Sequence, residues 1–273
     1  VDAAALGRFT CEWHEIGGRA SGQDALATVV DRLEGAPLVA SVLESEILPA
    51  RLARTASAEL DLACARGEIV WRGLEPLGDR DGRIALYHSS RYPLLAPAPT
   101  QADGQLAGKV RELLAARGAS FFQDLVRGTD AFGRDVLDAI WDLVWSGEVT
   151  NDTLAPLRSR LAGDAAPSRR QRISGRRAHP MGPPGSEGRW SLLASTGERS
   201  ETERRVALAE SLLERHGVLT REAAHSEGLS GGFSAVYDVL KQMEERGRVR
   251  RGYFVAGLGG TQFALPGAVD RLR

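Results

Sequence analysis

ETERRVALAESLLERH at residues 201–216, followed by GVLTREAAHSEGLSGGFSAVYDVLKQMEERGRVRRGYFVAGLGGTQFALP at residues 217–266, reads as three short helices and a β-hairpin. In the first segment Val206, Leu208, Ala209, Leu212 and Leu213 recur at helical spacing, and Gly217 stops the helix. Thr220 caps a second short helix that carries Glu222 in its first turn and ends at Gly228. From Phe233 to Arg246, the positions of Val236, Val239, Leu240 and Met243 mark a third amphipathic helix, closed by Gly247. The period then changes. Arg248 to Val255 is strand-like, Gly257, Gly259 and Gly260 turn a tip, and Thr261 to Leu265 returns before Pro266. Helix, helix, helix and a two-stranded wing make a winged helix, here over residues 198–267.

The same order of elements recurs twice upstream. Residues 21–92 offer a helix capped by Ser21 and carrying Leu26, Val29 and Val30, then a second helix from Pro37 to Leu48. The segment ILPARLAR (47–54) crosses to a third helix, Ser57 to Arg66, ended by Gly67. Strands Glu68–Gly73 and Arg83–His88 flank a turn-rich Gly78–Gly82. After the proline-rich connector Pro93–Pro99, residues 100–162 offer helices Gln105–Arg117, Ser120–Val126 and Ala131–Ser146, closed by Gly147. Aligning the copies on Gly67, Gly147 and Gly247 superposes Leu60, Ile140 and Leu240, then Ala63, Leu143 and Met243, then Ile69, Val149 and Val249. The middle wing is degenerate: Glu148–Thr153 supplies one strand, Leu154–Leu161 is helical, and the return strand is RWSLL at 189–193. The expected fold is mainly α with small β-wings, arranged as three tandem winged-helix domains. Residues 1–20 form a lead-in, with Phe9, Trp13 and Ile16 on one face of a short helix. Residues 163–188, rich in Pro, Gly and Arg without apolar periodicity, are expected to form a mobile linker.

At 273 residues and 42% hydrophobic content the chain suits two or three small soluble domains. No apolar run reaches the roughly 20 residues that span a bilayer, so no membrane partner and a cytoplasmic setting are expected. Cys11 and Cys64 are far apart, without metal-ligand spacing, and neither a disulfide framework nor a zinc site is implied. The net charge of −1 divides into −6 over residues 1–162, +3 over 163–188 and +2 over 189–273. Any nucleic-acid affinity must therefore come from local patches rather than a whole-surface field.

Two such patches occur. Arg246, Arg248, Arg250 and Arg251 stand at the base of the last wing, with Val249 facing inward and Tyr253 following. Wings of this kind touch phosphate backbones, for which arginine is suited; the alternative is a solvated face paired with Glu244 and Glu245. Arg169, Arg170, Arg172, Arg176 and Arg177 form the second patch, in the linker, either a nonspecific nucleic-acid contact or a solubilising segment. The third helices are poorly equipped to read bases. The last offers Ser234, Asp238, Lys241 and Glu245, and the middle one Arg134, Asp135, Asp138 and Asp142, whose acids repel phosphate. The first two copies thus read as scaffold or protein interface. Trp141 and Trp145, four apart, serve the core or fill a surface between copies.

Catalytic signals are weak. Gly104–Val110 has the wrong glycine spacing and lacks the Ser or Thr of a phosphate loop, so it is a helix start, and Gly257–Gly260 sits between strands. No catalytic residue, metal ligand or resident cofactor is assigned. A glycosylase would need a carboxylate or amide beside a flipped base. Asp152 and Gln262 are the residues that could be named, against an Asx turn or helix cap for Asp152 and an outward strand position for Gln262.

The stretches RRGYFV with TQFALPGAVDRLR, DLVWSGEVTNDTLAPLR, GRWSLL and ILPARL together resemble the C-terminal portion of Lhr, the large helicase-related proteins of bacteria, over about Gly22 to Arg273. The resemblance implies a nucleic-acid-dependent ATPase and 3′-to-5′ DNA-repair helicase, with an ATP- and Mg-binding motor N-terminal to this chain. Homo-oligomeric assembly is implied as well. A β-barrel module beyond Arg273 is also implied, residues 268–273 being the start of a link to it. The partners implied are DNA, single-stranded or as a 3′-tailed duplex, or an RNA–DNA hybrid, and the parent's own motor domains. Tandem winged helices with a barrel are also similar to DNA glycosylases that unhook interstrand crosslinks.

Overall fold

The computed structural model describes residues 1–18, 20–53, 56–163, 182–194, 199–229 and 231–272. Helix α1 (Ala3–Trp13) leads into the first copy: α2 (Gln23–Leu33), β1 (Leu38–Val39), α3 (Ala40–Val42) running on as a π turn, α4 (Ser57–Ala65), β2 (Ile69–Leu77) and β3 (Asp81–His88). The connector holds α5 (Tyr92–Leu95). The middle copy comprises α6 (Gln105–Arg117), β4 (Ser120–Phe121), α7 (Phe122–Thr129), α8 (Gly133–Trp145), β5 (Val149–Asn151), α9 (Ala155–Ala162) and β6 (Arg189–Leu192). The last comprises α10 (Glu201–His216), β7 (Val218–Leu219), α11 (Arg221–Ser226), α12 (Ser234–Glu245), β8 (Arg250–Gly252), β9 (Gln262–Ala264) and α13 (Pro266–Leu272).

Each copy closes an antiparallel sheet of the same strand order, β1-β3-β2, β4-β6-β5 and β7-β9-β8. The third strand is thus central, and a two-residue strand after the first helix completes the sheet. These short strands replace the expected helix starts at Pro37 and Ser120, because two residues are too few to display an alternation. The first helix of the first copy is capped at Gly22, not Ser21, with φ 96 and no side-chain cap bond.

The repeated glycines have a common cause. Gly67, Gly147 and Gly247 adopt φ of 71, 76 and 72. In each copy the following amide donates back into the third helix, Glu68 to Ala63, Glu148 to Leu143 and Arg248 to Met243, all at 2.9 Å. This helix-ending motif needs a left-handed residue, which glycine adopts without strain. All nine aligned apolar positions are buried.

The first two copies share one hydrophobic core, while the last has its own. Trp71 on β2 donates to the carbonyls of Asn151 and Thr153, each at 3.1 Å, and Thr150 Oγ1 donates to the Trp71 carbonyl at 2.6 Å. Arg72 donates to the connector carbonyls of Pro97 and Ala98. The last copy joins the first through Arg215, which donates to the Glu34 carbonyl and pairs with Glu227. Burial opposes the Glu227 charge, but bonds from His216 and Arg215 outweigh it and hold the carboxyl down at about 2.

Two expectations about the ends change. The lead-in helix α1 packs Phe9 and Trp13 on Val218, Ala268 and Val269 of the last copy, and Trp13 Nε1 donates to the Glu214 carbonyl at 2.7 Å. Residues 268–272, expected as a link, lie in α13 and form part of this second small core. The reason is tertiary: Val218 and Ala264 of the β7-β9-β8 sheet face away from the winged-helix core, and α1 with α13 covers them.

His14, just after α1, carries a buried Nδ1 without a hydrogen-bond partner. Burial, then the charges of Arg51 and Arg32, push its pKa down to about 4. The unfolded chain takes up this proton near pH 6.5, the folded chain near 4, so stability is full above 6.5 and falls as pH drops toward 4. Melting at pH 5 is therefore expected below melting at pH 7, and His14→Gln should shrink that gap; an unchanged gap would place the sensitivity elsewhere.

Candidate nucleic-acid interface

In a winged helix the third helix ordinarily enters the major groove and the wing touches the backbone. The third helices of the first two copies are engaged with one another's copy. On α4, Asp61 accepts from the Leu154 amide at 2.8 Å and from Arg158 at 2.7 Å, and Arg158 also grips Glu44 at 2.6 Å. On α8, the Val144 backbone lies against Gly73 and the Trp145 ring against Gly82, both on the first copy's wing. Trp141 is core, 5.8 Å from Trp190 between ring centroids, and Trp145 fills the surface between copies, so each expected role is taken by one tryptophan. What α8 leaves exposed is Arg134, Asp135, Asp138 and Asp142, a net acidic face.

The last copy differs. Its α12 exposes Ser234, Asp238, Lys241, Gln242 and Glu245, again with more acid than base. Beside it Arg246, Arg248, Arg250 and Arg251 are all exposed, and Val249 is buried between them. Arg248 pairs with Glu210 at 3.0 Å, Arg250 reaches Asp270 at 3.8 Å and Arg251 reaches Glu244 at 4.0 Å. Arg246 makes no ion pair among the described residues. The two longer contacts join solvent-exposed groups, worth at most about 1 kcal/mol each. Both guanidinium groups can therefore be redirected to phosphate at little cost.

The wing that carries them is held rather than free. Gln262 is fully buried, not outward-facing. Its Oε1 accepts from the Phe254 and Val255 amides at 2.8 and 2.9 Å, and its Nε2 donates to the Val255 carbonyl at 3.0 Å. The cause is the central position of β9: Phe263 faces the winged-helix core, while Ala264 packs in the α1–α13 core on the opposite face. Polar alternation beside Phe263 suggested solvent; nothing local signalled a second covering layer. The glycine tip is also tied, Gly259 donating to Glu222 at 3.1 Å.

Asp152 likewise has a structural role other than the one expected. It accepts from the Arg189 amide at 2.8 Å and pairs with the Arg189 guanidinium at 2.7 Å, locking the wing strands β5 and β6 together. The turn is made by Asn151, whose Oδ1 accepts from the Thr153 amide at 3.0 Å. Of the linker, Arg169, Arg170, Arg172, Arg176 and Arg177 lie outside the described residues. Residues 182–188, expected to be mobile, are packed: Gly185 accepts from Trp141 Nε1 at 3.2 Å, and Glu187 accepts from Asn151 Nδ2 through its carbonyl at 2.8 Å. No helix among the described residues is long and apolar enough to cross a membrane.

Two family models, each described as a winged-helix domain of the large helicase-related protein, match residues 1–89 and 198–273. Over its whole length the chain is 40% identical to the Lhr helicase/probable uracil glycosylase of Mycolicibacterium smegmatis, covering 19% of that protein. Over 92% of the chain it is 39% identical to the Lhr helicase/uracil glycosylase of Escherichia coli, covering 18% of that protein. The chain thus spans less than a fifth of the length of these relatives.

Proposed function

The chain belongs to the large helicase-related family, as a stretch of its winged-helix region, and from that premise we propose that it is the accessory nucleic-acid-binding and assembly region of an ATP-dependent DNA-repair helicase or 3′-to-5′ translocase. ATP and Mg belong to the motor of the parent protein, which acts in the cytoplasm as a homo-oligomer. The substrate engaged here is a single strand or 3′-tailed duplex of DNA, or an RNA–DNA hybrid, held without base specificity. One observation carries this reading: the exposed arginines on the last wing stand on a fixed backbone, while α4 and α8 are engaged within the protein.

The test is fluorescence anisotropy of a labelled 3′-tailed duplex across a salt series, comparing wild type with an Arg248→Ala, Arg250→Ala, Arg251→Ala triple variant. Each lost phosphate contact is expected to reduce the log–log salt slope by about 0.7 to 0.9. Absence of binding by wild type at low salt would make the region scaffold alone.

A second reading is favoured by the relatives' names, both of which include a uracil glycosylase. Here the chain would be the body of a glycosylase completed by a β-barrel. Gln262 is buried and Asp152 is bonded to Arg189, so the carboxylate or amide of that chemistry would come from elsewhere. Abasic-site formation on a uracil-containing oligonucleotide, with the chain alone and joined to a relative's downstream sequence, tests it; no product in either case removes this reading.

A further inference from the structure

The wing base combines its arginines with an aromatic ring that the fold leaves in water. Tyr253 is 80% exposed. Its backbone is nonetheless fixed on both sides: Gly252 pairs with Gln262 in the β8–β9 ladder, and the Phe254 amide is held by the Gln262 side chain at 2.8 Å. The Phe254 ring rests against Gly252, so the two neighbouring aromatics have opposite fates, one packed and one presented. Arg250 and Arg251 lie three and two residues before the ring, separated from it by Gly252, and both are exposed. The more exposed Phe132, at 84%, sits at the start of α8, whose exposed face carries Arg134 against Asp135, Asp138 and Asp142 and is net acidic.

We propose that the base of the last wing binds single-stranded nucleic acid in preference to duplex, with one base stacked on the Tyr253 ring and the adjacent phosphates on Arg250 and Arg251. The inference rests on reading the arginine cluster as a phosphate contact, and adds to it the class of strand. An aromatic ring on a held backbone, close in sequence to exposed guanidinium groups, is what an unpaired strand requires, because every free base offers a π face and every linkage a phosphate. A duplex hides those faces in its own stack and is read by a helix in the major groove, where α12 would bring Asp238 and Glu245. The fixed backbone means the chain here is not ordered at the moment of binding, so the conformational entropy lost is confined to the ring's own two torsions.

The experiment compares wild type, Tyr253→Ala, Tyr253→Phe and the arginine triple variant on two labelled probes, a mixed-sequence single strand and a long blunt duplex of the same sequence. Tyr253→Ala is expected to weaken single-strand binding by about 5- to 150-fold, the value of one stacked base, and to leave duplex binding unchanged. Tyr253→Phe keeps the π face and should stay within about 2-fold of wild type on both probes. The triple variant should weaken both. Wild type binding neither probe would overturn the phosphate reading itself. Wild type binding with Tyr253→Ala unaffected on the single strand, or equally weakened on the duplex, would overturn the stacking proposal and leave the arginine cluster standing. Because the ring and the three arginines are all exposed, every variant should melt close to wild type, which separates binding from folding.

Discussion

Trp71→Ala is expected to lower stability by about 3–5 kcal/mol and to split unfolding into two transitions. Trp71 lies on the first copy's wing, but its hydrogen-bond partners belong to the middle copy. The side chain is fully buried, so truncation removes one of the largest apolar groups in the shared core and opens a cavity. It also takes the indole donor from the carbonyls of Asn151, in a buried place, and of Thr153, in a partly buried one. For a chain of this length the shift corresponds to roughly 6–20 °C in melting temperature. Exposed Leu62→Ala on α4 is the control, expected within about 0.5 kcal/mol of wild type. Calorimetry that shows one unshifted transition for Trp71→Ala would mean that the first two copies are not joined through this residue.

The joint between those copies also explains which glycines could not be interpreted from sequence. Gly73 has an ordinary backbone, yet a Cβ there would stand 2.9 Å from the Val144 carbonyl carbon and closer still to its oxygen. Backbone cannot yield as a flexible side chain can. Gly73→Ala should therefore cost about 1–3 kcal/mol by forcing α8 off the wing. Gly67, by contrast, has open space around it and is required only by its φ of 71, a local demand that the helix-ending pattern reveals.

That contrast defines what the sequence made legible. The third helices, their terminal glycines and the first inward strand position repeat with the same spacing and are decided within one supersecondary unit, so Leu60, Ile140 and Leu240 could be aligned without coordinates. Even the interrupted wing was readable, because RWSLL at 189–193 alternates and lacked any other partner; β6 does pair with β5. The arginine quartet was visible as charge. Its neighbours Glu210 and Asp270 were not, since they come from α10 and α13, elements packed beside the wing only in three dimensions. Asp152 was misassigned for the same reason: its partner Arg189 is distant in sequence and adjacent only once the middle sheet has closed.

Gln262→Leu is expected to cost about 2–5 kcal/mol although it conserves volume and adds apolar surface. Leucine cannot accept from the Phe254 and Val255 amides or donate to the Val255 carbonyl, and two of these three bonds are buried. Each abandoned polar group then bears its own desolvation penalty. Because the same bonds hold the backbone on one side of Tyr253, the variant should also weaken nucleic-acid binding, by loosening the wing rather than by removing a contact. Gln262→Glu separates the hydrogen-bond argument from packing. A protonated acid has one donor and one acceptor oxygen and can reproduce the amide's pattern; a carboxylate would face the Val255 carbonyl with acceptor against acceptor. Burial raises the folded pKa of this glutamate above its unfolded value near 4.3. The folded state therefore keeps the proton after the unfolded state has lost it, so the variant's deficit relative to wild type is small below about pH 4.3 and grows by up to about 1.4 kcal/mol per pH unit above it. Gln262→Leu carries no titrating group and its deficit should not vary with pH. Denaturant titrations of the three proteins at pH 4.5, 6 and 8 measure both deficits. A Gln262→Glu deficit that stays flat across that range would mean the side chain at 262 meets water, and that the wing is not clamped from beneath.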